Sequence, residues 1–348
     1  MRLDTQRMWE ATASLPEQVA QAAREAADLP GLPERESVEN VVVLGMGGSG
    51  IAGDILLATA GPFMAVPVVV VKSYTLPAFV GEGSLVFAIS FSGDTEETVE
   101  AATEAAVQGA KVVVVTSGGE LAKLATGWDA PMVSVPGAIP QPRAAVGAMA
   151  IPPLVVLEQV GLFAGASEWI DLAVEQLERR RDQLTGPTSP AAELARRIGR
   201  TIPLLHSSAA LGNGAAQRWK TQVNENAKSP AFWAVHPELC HNEVAGWGQH
   251  GDVTRQVMTL VNLRHSYEHP QVSRRFDLVD DMVREVVAGI EEIQAEGEGE
   301  LAQLLDLILV GDFMTLHLAD NEGIDPGPVP ALSDLKRLLA ERAPDTES

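Results

Sequence analysis

Five short runs of β-branched and aliphatic residues recur early in the chain: Val41–Leu44, Val68–Val71, Leu85–Ile89, Val112–Val115 and Met132–Val135. Each is followed by a helix-like segment. The runs do not alternate apolar with polar, so such strands must be covered on both faces, which is the condition of a parallel sheet with crossover helices. The pattern predicts an α/β fold with a doubly wound parallel sheet. An amphipathic helix over Ser14–Asp28 precedes the first strand, with Leu15, Val19, Ala22, Ala23 and Ala26 on one face, and Pro30 and Pro33 end it.

The pattern then breaks and restarts. Pro136 to Pro153 is rich in Pro and Gly, and the charged helical segment Trp169–Leu184 stops at Gly186-Pro187. Beyond it come Ile202–Leu205, a glycine turn at Gly212-Asn213-Gly214, a long helix from about Ala215, and the run Gln256–Leu263. This is a weak repeat of the first half. A chain of 348 residues exceeds what one core usually supports, so two cores are expected. The division places the N-terminal helix and first domain at 1–155, a linker helix at 156–189, and the second domain at 190–348.

With a net charge of −22, the surface disfavours nucleic acid and anionic membranes, both of which need clustered Lys and Arg. The apolar stretch Ala144–Leu157 is short for a membrane span and carries Pro152 and Pro153 as breaks. The N-terminus, with Asp4 and Glu10, does not read as a signal peptide. One cysteine, Cys240, suits a reducing compartment, so a soluble cytoplasmic protein is expected. The seven histidines form no tight ligand cluster, and no metal is expected. Cys240 beside His241 is read as structural, because adjacency does not make an activated pair.

Two loops carry ligand-binding chemistry. Gly45-Met46-Gly47-Gly48-Ser49-Gly50 follows a strand and opens a helix, so its backbone N–H groups converge at the positive end of a helix dipole. It also matches GxGxxG, the dinucleotide fingerprint. That site needs an acid at the end of the second strand, where this chain has Lys72-Ser73, so only a 2′-phosphate cofactor remains open. The second loop, Ser90-Phe91-Ser92-Gly93-Asp94-Thr95, brings three hydroxyls to the carboxyl edge of the third strand. Hydroxyls and amides there suit a phosphomonoester; helix capping by Ser92 or Asp94 is the ordinary alternative.

Together, Gly47-Gly48-Ser49 and Ser90-x-Ser92-Gly93-x-Thr95 resemble the sugar isomerase (SIS) domain, a phosphosugar-binding fold of the flavodoxin-like type. Pro142-Arg143, Lys220 to Asn226, His241-Asn242-Glu243 and Asp325 to Pro330 leading to Lys336 resemble, in order and spacing, the bifunctional phosphoglucose/phosphomannose isomerases with two SIS domains. The resemblance implies a cofactor-free aldose–ketose isomerase acting on glucose 6-phosphate, mannose 6-phosphate or both, giving fructose 6-phosphate through a cis-enediol. It implies that Gly48, Ser49, Ser90, Ser92 and Thr95 hold phosphate and that Glu225 is the base. Arg143 would steady the enediolate, and His241 and Lys336 would open the ring, with His241 reaching the neighbouring subunit of a homodimer. Glu225 lies between two asparagines that can orient it by hydrogen bonding. Between Asp325 and Lys336 the only side-chain hydroxyl is Ser333. A non-catalytic sugar-phosphate sensor and, more remotely, a nicotinamide-dependent oxidoreductase are the rival readings.

Overall fold

The computed structural model describes residues 2–341. In the first half, helices α1 (Met8–Ala13) and α2 (Leu15–Ala26) lead into β1 (Asn40–Leu44), α3 (Gly47–Thr59), β2 (Val68–Val71), β3 (Ser84–Ser90), α4 (Glu96–Val107), β4 (Lys111–Thr116), α5 (Gly119–Trp128) and β5 (Met132–Ser134). The five expected runs are the five strands. They pair in parallel in the order β2-β1-β3-β4-β5. The order reverses between β1 and β3, which opens a crevice beyond their carboxyl ends.

Two long helices follow, α6 (Val146–Val160) and α7 (Ala166–Thr185). Pro152 and Pro153 do not break α6, as the sequence led us to expect; the helix runs through both. Their rings remove the donors that would serve the carbonyls of Ala148 and Met149. Packing against α2 and α3 with twelve buried residues outweighs that loss. The boundary placed at residue 155 therefore falls inside a helix, and the chain first turns at Gly161.

The second half holds α8 (Pro190–Ile198), β6 (Ile202–Ser208), α9 (Ala209–Asn226), β7 (Phe232–His236), α10 (Gly251–Val257), β8 (Met258–Arg264), α11 (Pro270–Val283), β9 (Gly289–Gln294), α12 (Glu300–Asn321) and α13 (Pro330–Glu341). Its strands form a second parallel sheet in the order β7-β6-β8-β9. A glycine turn at Gly212–Gly214 is not found. Both glycines lie inside α9, which starts at Ala209 rather than Ala215. Their missing side chains serve helix packing: a Cβ on Gly212 would stand 3.1 Å from that of Ser207, and Gly214 faces Ala58 of α3 and Leu304 of α12.

Nor are there two separate cores. Val43, Ile55, Leu154, Ala215, Trp219, Leu305 and Phe313 belong to one apolar cluster running through both halves, and smaller clusters cover the outer face of each sheet. The inner helices are apolar on nearly every side, so each half completes the burial of the other. Two stretches, Pro142–Val160 and Glu300–Asn321, are long and apolar enough to cross a membrane, yet 83% and 94% of their apolar windows are buried inside the protein. They are core helices.

Helices α9 and α12 meet at Trp219, which is fully buried and donates its indole N–H to the carbonyl of Leu307 at 2.7 Å. The ring lies against Gly311, where a Cβ would sit 2.2–2.5 Å from three indole atoms. Alanine favours a helix over glycine by about 1 kcal/mol, but overpacking a filled core costs about 1–3 kcal/mol. Gly311→Ala is thus expected to lower the chemical-denaturation midpoint despite its better propensity, and an unchanged or raised midpoint would contradict this packing.

Candidate active site

The crevice at the carboxyl edge of the first sheet collects both sequence-identified loops. Helix α3 begins at Gly47 and its first turn contains Gly48 and Ser49. The Ser49 hydroxyl oxygen accepts from the Phe91 N–H at 3.2 Å and its proton points to the Met149 sulfur, a weak acceptor, at 3.3 Å. Ser90 accepts from the Gly93 N–H at 3.1 Å and shares a 2.9 Å bond with Thr95. Ser92 accepts from the Asp94 N–H at 3.2 Å. In each case the backbone takes a lone pair of the hydroxyl oxygen. The Ser92 hydroxyl proton and one from the Ser90–Thr95 pair remain for an anionic ligand, and that of Ser49 is held only by a weak sulfur acceptor.

Residues Pro142–Ala145 form a short 3-10 turn that presses against this loop. A Cβ on Gly48 would come within 3.0–3.1 Å of the backbone of Pro142 and Arg143. Only glycine permits that approach without moving the chain. Arg143 follows immediately and is 2% exposed. Its five N–H donors all find acceptors: Nε donates to Asn226 Oδ1 at 2.9 Å, Nη1 to Gln141 Oε1 at 3.2 Å and Glu225 Oε2 at 3.4 Å, and Nη2 to the carbonyls of Pro326 at 2.6 Å and Gly327 at 2.7 Å. Burial pushes its guanidinium below the usual arginine value, while the Glu225 carboxylate pulls it back up. Arg218 holds the Arg143 carbonyl from behind and is itself paired with buried Asp312 through two bonds of 3.0 and 2.7 Å.

Glu225 sits in the last turn of α9, partly exposed, with Arg143 as its one side-chain partner among the described residues. At 3.4 Å that bond is long for a charged pair, so the carboxylate is oriented yet keeps most of its acceptor capacity. The flanking asparagines do not bond to it. Asn226 accepts from Arg143 and donates to Thr315 at 3.0 Å, and Asn224 donates to the Ser229 carbonyl at 2.8 Å. They fix the arginine and the following turn because their side chains leave the helix on other faces.

The remaining two expected residues are not brought to Glu225 within one chain. His241 is exposed at the end of the 3-10 turn Glu238–His241, and Lys336 is exposed on α13. Among the described residues neither bonds to Glu225, Arg143 or the hydroxyl loops. The physical reason is placement: the turn hangs off the edge strand β7, and α13 lies exposed beyond the Pro326–Pro330 segment. Cys240 approaches His236 Nδ1 at 3.5 Å, but burial raises the thiol and pushes His236 down to about 4, so no thiolate–imidazolium pair forms. Lys72, which left a 2′-phosphate cofactor open, is paired with Asp54. No three His, Cys, Asp or Glu side chains converge as a metal site among the described residues.

Sequence reasoning missed Gln141, Lys228 and the carbonyls of Pro326 and Gly327. Lys228, just past α9, donates from Nζ to the Glu225 carbonyl at 2.5 Å and the Pro326 carbonyl at 3.3 Å. Nothing in its spacing marked it. A cleft of about 390 Å³ near Gly31, Lys111 and Pro131 opens at the opposite, amino edge of the first sheet, away from these groups. At the equivalent edge of the second sheet, Ser208 and His265 share a 3.2 Å hydrogen bond.

A doubly wound sheet with hydroxyl loops at its switch point, beside a carboxylate held by a buried arginine, defines a tandem SIS protein. Residues 36–128 match the SIS domain model, and 188–339 match the model of the bacterial phospho-glucose isomerase C-terminal SIS domain. The chain is 33% identical over 338 residues to a bifunctional phosphoglucose/phosphomannose isomerase of Caldicellulosiruptor bescii, covering 96% of this chain and 99% of that one. It is 34% identical over 312 residues to the one of Aquifex aeolicus, covering 88% and 92%. The C-terminal domain of glucosamine-fructose-6-phosphate aminotransferase from Francisella tularensis superposes with a TM-score of 0.69 at 15% identity, over 93% of this chain and 98% of that one, and so shares the fold. The chain belongs to the bifunctional phosphoglucose/phosphomannose isomerase family.

The contact between the glycine loop and the Arg143 turn generates a prediction. Gly48→Ala must push the Pro142–Arg143 backbone aside by a few tenths of an ångström, and small misplacements of reacting groups are costly in rate. The variant is expected to lose at least tenfold in kcat of hexose-phosphate isomerisation while remaining folded by circular dichroism. Wild-type kcat would show that the two segments are not coupled.

Proposed function

We propose that the chain is a metal-independent aldose–ketose isomerase that interconverts glucose 6-phosphate, mannose 6-phosphate or both with fructose 6-phosphate. The single observation that carries this reading is the lodging of Arg143 against the phosphate loop on one side and Glu225 on the other. Family membership supplies the substrate class. The phosphoryl group sits at Gly48, Ser49, Ser90, Ser92 and Thr95. Donors without a permanent cation grip it and still release product. That anchorage presents C1 and C2 to Glu225, whose carboxylate takes the proton from one carbon and returns it to the other through a cis-enediol. Arg143 keeps a positive charge beside the developing enediolate, and electrostatic stabilisation of this kind is the largest usual contribution to catalysis.

Ring opening needs a second acid–base group, and His241 and Lys336 fill that role. Since one chain leaves them apart from Glu225, the active unit is a homodimer in which His241 of one subunit enters the other's site. One cysteine and an acidic surface fit a cytoplasmic location. The phosphate side belongs to the first half and the acid–base side to the second, joined through α6 and α7.

Two experiments test this reading. Chelator-treated protein is expected to convert an aldose 6-phosphate, while Glu225→Gln loses about 10²–10⁴-fold in kcat and still binds the sugar phosphate, as removal of a general base requires. Full activity in that variant would remove Glu225 from its role. Co-expression of Glu225→Gln with His241→Ala, each inactive alone, is expected to restore about 25% of wild-type activity, because half the dimers are mixed and each has one intact site. No complementation would show that His241 acts within its own chain or not at all.

A further inference from the structure

The end of helix α9 holds a second cation that the reading above does not use. Lys228 takes a left-handed backbone, with φ of 55°, a conformation that disfavours any side chain larger than glycine or asparagine. A lysine that merely caps a helix lends its charge to the last carbonyls and leaves its ammonium in water. This one spans two segments. Its Nζ donates to the carbonyl of Glu225 itself and to that of Pro326, nearly a hundred residues further on. Pro326 O also accepts from Arg143 Nη2 at 2.6 Å, so the two cations share one acceptor.

Charge balance around Lys228 is unusual for so acidic a protein. The chain carries 47 acidic residues, yet among the described residues no carboxylate lies within ion-pair distance of Nζ. Its charged neighbours are Arg143 from the turn after β5, Glu225 from α9 and Asp325 from the loop before α13. The Asp325 carboxylate is turned elsewhere, accepting from the N–H groups of Gly327 at 3.0 Å and Thr5 at 3.4 Å. Burial first, then Arg143, pushes the Lys228 ammonium down to about 8. Arg143 has all five donors engaged, whereas an ammonium has three donors and two of these are used.

We infer that Lys228 is a positioning residue of the active site: by bridging the carbonyls of Glu225 and Pro326 it fixes the base relative to Arg143. This rests on the reading of Glu225 as the base. Remote substrate contacts are made by the hydroxyl loops and not by Lys228. Its loss therefore acts on the chemical step more than on binding. Below about pH 8 the side chain is cationic and the bridge is charge-assisted; above it the amine is neutral and the bridge weakens. Activity that depends on the bridge falls as pH rises through that value.

The test uses the full-length protein and steady-state isomerisation of hexose 6-phosphate from pH 6 to 10. Lys228→Met is expected to lose about tenfold or more in kcat with KM within about twofold of wild type, as loss of an interaction realised in the chemical step requires. Lys228→Arg, which does not titrate in this range, is expected to keep kcat within about threefold and to move the alkaline limb upward from about 8. Wild-type kcat in Lys228→Met overturns the inference, as does an unmoved alkaline limb in Lys228→Arg. The arginine variant keeps the test decisive should the methionine variant fail to fold. An inactive wild type would instead overturn the isomerase reading, which separates the two failures.

Discussion

A guanidinium keeps its charge, so it can be buried where Arg143 sits only if it is fully hydrogen-bonded, because an unpaired ion in a low-dielectric interior costs several kcal/mol. That requirement organises the site. Its five acceptors come from three separated parts of the chain: Gln141 in its own turn, Glu225 and Asn226 at the end of α9, and the carbonyls of Pro326 and Gly327. Satisfying one side chain thereby fixes where the second half of the protein ends relative to the first. The backbone of the same residue is clamped from the other side by Arg218 and pressed against Gly48. The glycine loop, Arg143 and Glu225 are thereby tied together even though they are far apart in sequence.

The strongly acidic composition makes this local arrangement more informative. A dianionic sugar phosphate must be drawn into a protein whose general field repels it. In the proposed site this falls to the first turn of α3 and to hydroxyls whose oxygens accept from backbone N–H groups, with Arg143 and Lys228 as the cations of the Glu225 side. None of these depends on a surface cluster of lysines. Hydrogen-bond donors act at short range, so they distinguish a bound phosphoryl group from the general anionic field. The second half keeps a parallel sheet of the same order with one strand fewer and without the same loop, and Ser208 and His265 bond to one another at its corresponding edge.

Much of the fold was legible because its strands are buried on both faces. Val41–Leu44 and Val112–Val115 can serve as little else than central parallel strands. Strands β7 and β9 escaped notice because β7 carries exposed Phe232 and Trp233 on an edge and β9 is the mixed sequence Gly289–Gln294. Glycine and proline misled in opposite directions. Gly212 and Gly214 look like a turn and act as contact points in a helix, and Pro152 and Pro153 look like a stop and are carried through by packing. Tertiary burial overrode local propensity in both places. In the site, the residue types were visible and their partners were not. Asn226 lies beside Glu225 in sequence but serves Arg143 in space, and Lys228 acquires its role from a carbonyl at residue 326 that no local pattern could connect to it.

The central claim is that one rigid unit of phosphate loop, Arg143 and Glu225 places a sugar's first two carbons against a carboxylate. Its most direct test is a crystal structure of the protein with a hexose 6-phosphate bound. The account predicts the phosphoryl group at Ser49, Ser90, Ser92 and Thr95, with C1 and C2 about 3–3.5 Å from a Glu225 oxygen, the separation a reacting pair requires. A sugar phosphate bound with its carbons directed away from Glu225 in every subunit, or seated at the second sheet instead, would contradict it.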